Sequence, residues 1–454
     1  MTVKRHTGAE PVDPTPLGEP LHFAFSSKTA PTRFLKAALS ERLSSWHPSD
    51  LSKRGVPSKE LINVYRRWGE GGFGVILTGN TMIAPDQLEA PGCLVIPRDA
   101  PIEEGDERFQ RFRELAAAAK AKGSLVYLQV SHPGRQVPEN IQPHPISASD
   151  VQLEGSVMGL TFAKPRAMEK ADIDAVVDGF AHTAQYAHRA GFDGVQLHGA
   201  HGYLLAQFLS PTTNKRTDEY GGASVLNRGR LIFEIASEIR RRVADEKFSL
   251  AIKLNSVEFQ DAGFTPEDCR DLCAELEAHG FDFVELSGGT YQSLAFTHRR
   301  ESTRKREAYF IEFAEMVVPR LKKTKTYVTG GLRTVGAMVE ALKTVDGVGL
   351  GRPICHEFDL PRKNLEDKVQ GAVAILLDED SFTATNVAAG TQMRLVSRDK
   401  QPLDLTGEDH LQAFQNSMGL WAQKMAADKD GSMYGFVDIE GIKLEPYGAA
   451  YSAA

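Results

Sequence analysis

Between about residue 30 and residue 360, short apolar runs alternate with longer stretches whose apolar positions recur every three or four residues. A short apolar run bounded by turn residues predicts a strand buried on both faces, and the longer period predicts an amphipathic helix. Eight runs fit the first description: Phe34–Leu39, Phe73–Thr78, Leu125–Val130, Gly194–Leu197, Leu250–Leu254, Phe283–Leu286, Tyr327–Thr329 and Val348–Leu350. Helical stretches lie between them, among them Phe109–Lys122, Ile173–Ala190, Leu231–Val243 and Pro266–Ala278. Asp172 is the expected N-cap of the second of these, and Gly191 its C-terminal stop. Eight strand–helix units predict an α/β fold of the (β/α)8 TIM-barrel type. A doubly wound sheet would have fewer strands and a GxGxxG after the first, and no such fingerprint occurs.

Three segments fall outside this alternation. Residues 1–16 are polar and proline-bearing and are expected to lack fixed structure, leaving 17–365 as the barrel. Val137–Met168 is a Pro- and Gly-bearing insertion after the third strand, on the face where insertions usually form lids or substrate walls. Residues 366–454 read as a C-terminal extension packed on the barrel, with a helix over Leu411–Ala427, and are expected to be an appendage without chemistry of their own.

Bulk properties narrow the function. The 454 residues carry 53 basic and 60 acidic side chains, a net charge of −7, and no basic stripe to neutralise nucleic-acid phosphates. No apolar run approaches the roughly 20 residues needed to span a bilayer. No secretory leader or sorting tail is recognisable, so a soluble, cytoplasmic protein is expected. The four cysteines, Cys93, Cys269, Cys273 and Cys355, form no CxxC cluster, which argues against a disulfide scaffold or an iron–sulfur centre.

Candidate chemistry concentrates at strand carboxyl ends, where barrels build their active sites. The fourth run ends in GVQLHGAHGY, placing His198, His201 and Tyr203 in one turn. Two neutral imidazoles can donate hydrogen bonds to a carbonyl or nitro oxygen, and a phenol can supply a proton to the adjacent carbon. The same HxxH spacing also suits a metal site, which would need a further ligand such as His132. At the other strand ends stand Ser40, Gly79 and Asn80, Gln129 and His132, Lys253, Ser287 with Gly288 and Gly289, Gly330 and Gly331, and Gly351 and Arg352. Glycines with an arginine after the last two strands suit a phosphate. A lysine inside a strand needs a partner, because an unpaired buried ammonium is costly.

The segment HGAHGYLLAQFLSPTTNKRTDEYGG closely resembles the signature of the Old Yellow Enzyme family of FMN-dependent reductases. The blocks RFLKAALSE, GVILTGN, YLQVSHPGRQ, AIKLNS, VTGGLRT and GLGRP resemble that family's flavin-contacting blocks in the same order, over roughly residues 20–360. The resemblance implies that Leu17–Pro31 forms a hairpin sealing the bottom of the barrel. It implies FMN as cofactor and NAD(P)H as reductant. Ala38, Ser40, Asn80, Gln129 and Lys253 would line the isoalloxazine, and Gly331, Gly351 and Arg352 would hold the phosphate. His198 and His201 would bind the oxygen of an enone-type substrate, Tyr203 would be the proton donor, and TDEYGG would be a structural turn. No metal is implied. Arg304 and Arg306, after the sixth run, suggest a homo-oligomer in which they reach a neighbouring active site. Ser40 and Asn80 depart from the residues common at those positions in the family, and Glu41-Arg42 replaces a tyrosine that some members carry there. The substrate therefore does not carry over. Remaining alternatives are a pathway-specific reductase or isomerase, a metal-dependent barrel enzyme and a silent flavin-binding scaffold.

Overall fold

The computed structural model describes residues 3–157, 159–257, 263–288, 314–379 and 381–451. Gly289, Arg304 and Arg306 lie outside the described residues. The eight apolar runs form eight parallel strands: β1 Phe34–Lys36, β2 Val75–Met82, β3 Leu125–Ser131, β4 Gly194–Gly199, β5 Ser249–Val257, β6 Phe283–Gly288, β7 Lys325–Thr329 and β8 Gly347–Leu350. Each pairs with its neighbour in sequence, and β1 pairs with both β2 and β8, so the sheet closes on itself. This is the expected barrel. In it, β4 stands diametrically opposite β8, which separates the histidine turn from Gly351 and Arg352 across the barrel mouth.

Closure produces two apolar layers. Inside the barrel, Tyr127, Phe283 and Tyr327 pack edge to face with ring centroids 5.3 Å apart. The hairpin formed by Leu21–His22 and Thr29–Ala30 inserts Phe23 5.4 Å from Phe283, plugging the bottom as expected. Outside, the sheet packs against α1 Lys59–Gly69, α2 Glu107–Ala119, α3 Lys170–Arg189, α4 Arg230–Val243, α5 Pro266–Ala278 and α6 Val335–Ala341. All eight residues of β2 are buried, because one face meets the barrel interior and the other meets helices.

Helix starts follow local capping chemistry. Ser58 and Asp106 cap α1 and α2, and Thr265 with Asp268 forms a capping box on α5. For α3 the cap is Glu169, three residues before the expected Asp172. Asp172 instead reaches back to the Glu169 backbone N–H at 2.8 Å, so the two carboxylates form the box reciprocally. Gly191, at φ +90°, ends the helix as expected.

The N-terminal end of the chain differs from expectation. Residues 3–16, expected to lack fixed structure, are held by remote partners. Arg5 makes a bidentate pair with Glu357 at 2.6 Å, and the His6 N–H donates to the Ala372 carbonyl at 2.9 Å. A local pattern cannot reveal such order, because the contacts are made more than 350 residues away. The C-terminal extension contains α7 Phe382–Ser397 and α8 Glu408–Ala427. Helix α7 is fastened to α1: Asn63 Nδ2 donates to the Ser397 carbonyl at 2.9 Å, and Arg67 pairs with Asp399 at 2.9 Å. Among the described residues no helix is long and apolar enough to cross a membrane.

Candidate active site

One cavity of about 300 Å³ opens at the carboxyl ends of the strands, and the eleven residues expected to hold flavin or substrate line it, whereas Gly79 and His132 do not. Ala38 and Ser40 come from the segment after β1, Asn80 from β2, Gln129 from β3 and Lys253 from β5. His198, His201 and Tyr203 come from the end of β4 and its turn, Gly331 from the turn after β7, and Gly351 and Arg352 from the end of β8.

The β4 turn is tightly determined. His198 lies beside Lys253 in the β4–β5 register. His201 sits at φ +58°, a region histidine enters more readily than most residues. Its N–H donates to Asn255 Oδ1 at 3.1 Å, and its Nε2 meets Ser287 Oγ at 3.0 Å. Gln207, just beyond the turn, donates to the carbonyls of Gly202 at 2.7 Å and Pro133 at 3.0 Å. Gly134, at φ +58°, makes room for that glutamine, since a Cβ there would lie 2.1 Å from Gln207 Oε1.

These ties bring the His198 ring within 5.2 Å of His201 and 4.7 Å of Tyr203, centroid to centroid. Burial, the neighbouring imidazole and Lys253 push His198 well below the usual histidine range; burial and then Lys253 lower His201 to about 3. Both rings are therefore neutral near pH 7. His198 Nδ1 accepts the Ala200 N–H at 3.3 Å, so the ring proton sits on Nε2. His132 accepts from the Gly134 N–H at 3.0 Å, and burial lowers it to about 3. Among the described residues no three His, Cys, Asp or Glu side chains gather as a metal-ligand set.

Beneath the turn runs a buried polar chain that sequence reasoning only partly anticipated. Gln129 Nε2 donates to Gln196 Oε1 at 2.6 Å, and Gln196 Nε2 to Glu285 Oε2 at 2.8 Å. Thr329 donates to Glu285 Oε1 at 2.7 Å, and Lys253 Nζ pairs with the same oxygen at 3.0 Å. Lysine 253 thus has a protein partner, where a flavin had been the expected one. Glu285 and Gln196 escaped notice because a glutamate in VELSG and a glutamine in GVQLH carry no local sign of pointing inward.

Three further segments contribute, of which Glu89 and the C-terminal extension were missed. Glu89, in the loop after β2, lines the cavity and accepts hydrogen bonds from Ser40, Asn80 and Tyr203. Val157 and Leu160 bring the insertion after β3 to the cavity. The C-terminal extension supplies Phe382, Asn386, Ala389 and Met393 from one face of α7, and Phe436 beyond α8. The extension is therefore a wall of the site and not an appendage. The spacing of those four α7 residues, at intervals of four, three and four, was the available signal.

The cavity fits a flavin mononucleotide. Asn80 Oδ1 is buried without a partner and can accept a ring N–H. Gly351, where a Cβ would meet nothing nearer than Leu39 at 3.9 Å, leaves backbone open beside Arg352 for a phosphate, and Gly331, at φ +74°, lines the same cavity.

The sequence profile of the NADH:flavin oxidoreductase / NADH oxidase family matches residues 33–369. The chain belongs to this family. It is 49% identical over 420 residues to the NADH-dependent flavin oxidoreductase nadA of Aspergillus parasiticus, spanning 92% of this chain and 94% of that one. Morphinone reductase in complex with tetrahydroNAD superposes with a TM-score of 0.62 at 25% identity, over 78% of this chain and 92% of that one. The old yellow enzyme homologue from Zymomonas mobilis shares the fold at a TM-score of 0.62 and 24% identity, over 79% and 95%. The protein is an FMN-dependent oxidoreductase of the Old Yellow Enzyme type that takes its electrons from a reduced nicotinamide.

Proposed function

We propose that this oxidoreductase reduces the activated C=C bond of α,β-unsaturated carbonyl or nitro compounds in two half-reactions, the nicotinamide leaving before the acceptor enters. Bound FMN supplies the two-electron chemistry, taken from NAD(P)H in one half-reaction and returned to the β-carbon of the acceptor in the other. Ala38, Ser40, Asn80, Gln129 and Lys253 hold the ring, and Gly331, Gly351 and Arg352 hold the phosphate.

The observation that carries this reading is the grouping of two neutral imidazoles and a buried phenol in one rigid turn on the cavity wall. His198, protonated on Nε2, and His201 bind the acceptor's oxygen and stabilise the negative charge that builds on it. Neutral donors serve better than imidazolium here, because the site spends no solvation energy keeping two cations beside Lys253. Tyr203 delivers a proton to the α-carbon. The Aspergillus relative's name supports NADH as the donor.

The test is Tyr203→Phe, followed by flavin absorbance in a stopped-flow instrument with each substrate in turn. Loss of a general acid slows reoxidation by an enone on the order of 10²–10⁴-fold, while reduction by NADH changes little. Equal slowing of both half-reactions would remove Tyr203 from the proton-donor role.

A further inference from the structure

We propose that Glu89 is a positioning residue for Tyr203 and the relay that returns its proton, an inference that rests on Tyr203 being the proton donor. Glu89 stands in the loop between β2 and α2, fixed by its fully buried neighbours Leu88 and Ala90, which pack with Met82, Cys93 and Val95. The residue is 7% exposed. Tyr203 Oη and Asn80 Nδ2 donate to Oε2, the latter at 2.7 Å, while Ser40 Oγ and Cys93 Sγ, the latter at 3.6 Å, donate to Oε1. No described lysine or arginine forms an ion pair with it.

A carboxyl group buried among four neutral donors is an expensive way to hold a loop, since an uncharged side chain carries no charge to desolvate. Its placement against the phenol has a chemical consequence. When Tyr203 gives its proton to carbon, the O–H bond breaks and a C–H bond forms. A phenolate left in hydrogen-bond contact with a carboxylate would place two anions side by side in a dry site, which is strongly unfavourable. The step is eased when a proton from water, taken up by the Glu89 carboxylate through Ser40, which is partly exposed and touches Oε1, is passed to the Tyr203 oxygen as the Tyr203 proton leaves. The balance is one proton from water and one hydride from the cofactor, added across one C=C bond. The titratable groups that contact Glu89 are Cys93 from its own loop and Tyr203 from the β4 turn; Glu41 and Arg42, from the segment after β1, act on Cys93, and His198 packs on Tyr203.

The experiment measures reoxidation of the NADH-reduced holoenzyme by 2-cyclohexenone, against pH, for wild type, Glu89→Gln, Glu89→Asp, Tyr203→Phe and the Glu89→Gln/Tyr203→Phe double variant. Reduction by NADH and the flavin spectrum report folding and cofactor content. Glu89→Gln is expected to slow reoxidation on the order of tenfold to a hundredfold and to change the shape of its pH profile. Glu89→Asp should recover part of the rate, and Glu89→Gln should add nothing in the Tyr203→Phe background. Wild-type reoxidation in Glu89→Gln, or equal slowing in both backgrounds, overturns the relay while leaving Tyr203 its role. A Tyr203→Phe enzyme reoxidised at the wild-type rate overturns the functional reading, and the relay with it. Should Glu89→Gln fail to hold flavin, the pH profile of Glu89→Asp decides, and an unchanged profile and rate there count against the relay.

Discussion

Lysine 253 and glutamate 285 offer the sharpest energetic test of the site's foundation. Both are buried, at 4% and 0% exposure, and their charged atoms stand 3.0 Å apart. At an effective dielectric of about 20, that separation corresponds to a gross attraction of about 5–6 kcal/mol, most of which repays the cost of removing both charges from water. Breaking the pair from one side is therefore costly even though the pair itself adds little net stability. Lys253→Met leaves Glu285 with the Gln196 and Thr329 donors alone, and the expected loss is about 3–5 kcal/mol. Glu285→Gln leaves the ammonium an amide oxygen in place of a carboxylate, for a loss of about 1.5–3 kcal/mol. The double variant should lose less than the sum by about 2–3 kcal/mol, because the second change removes the charge that the first stranded. Urea midpoints of the four apoproteins measure this coupling. Potentiometry of the four holoenzymes adds an independent readout. Removing the lysine should lower the flavin potential and removing the glutamate should raise it, each by tens of millivolts, since about 30 mV equals 1.4 kcal/mol for a two-electron couple. Additive urea midpoints, within about 0.5 kcal/mol, would refute the coupling. Potentials that move in the same direction would refute opposed action on the flavin.

The buried histidines make stability depend on acid. An unfolded imidazole takes up a proton near 6.5, whereas folded His132 does so only near 3. Between those values the unfolded chain binds more protons, so stability falls as the pH drops through 6.5, by about 2 kcal/mol for this one group at pH 5. A His132→Gln variant should show a shallower decline of its urea midpoint between pH 8 and pH 5, and an unchanged slope would contradict the assignment. Gly390→Ala probes the extension as a cavity wall, because the added Cβ would fall 2.2 Å from the Phe436 ring. Displacing that ring should cost about 1–3 kcal/mol and speed FMN release, followed by flavin fluorescence. Unaltered release would show that Phe436 does not hold the cofactor.

The amino-acid sequence alone was enough to specify the barrel, because each strand is a local run of apolar side chains and each helix a local period, and eight such units leave few topologies. It also specified the β4 turn, since His198, His201 and Tyr203 are neighbours in the chain and local glycines set their backbone. The partners of these groups were decided by tertiary structure. Glu285 meets Lys253 only because β5 and β6 pair in one register, and Glu89 meets Tyr203 across 114 residues. The wall built by α7 depends on Asn63 and Arg67 gripping the chain more than 330 residues later. Burial and periodicity act between neighbours in sequence, so they can be read from it. A buried charge finds its partner through the closed barrel's geometry, and only the folded chain reveals which of its 60 acidic side chains are turned inward to the site.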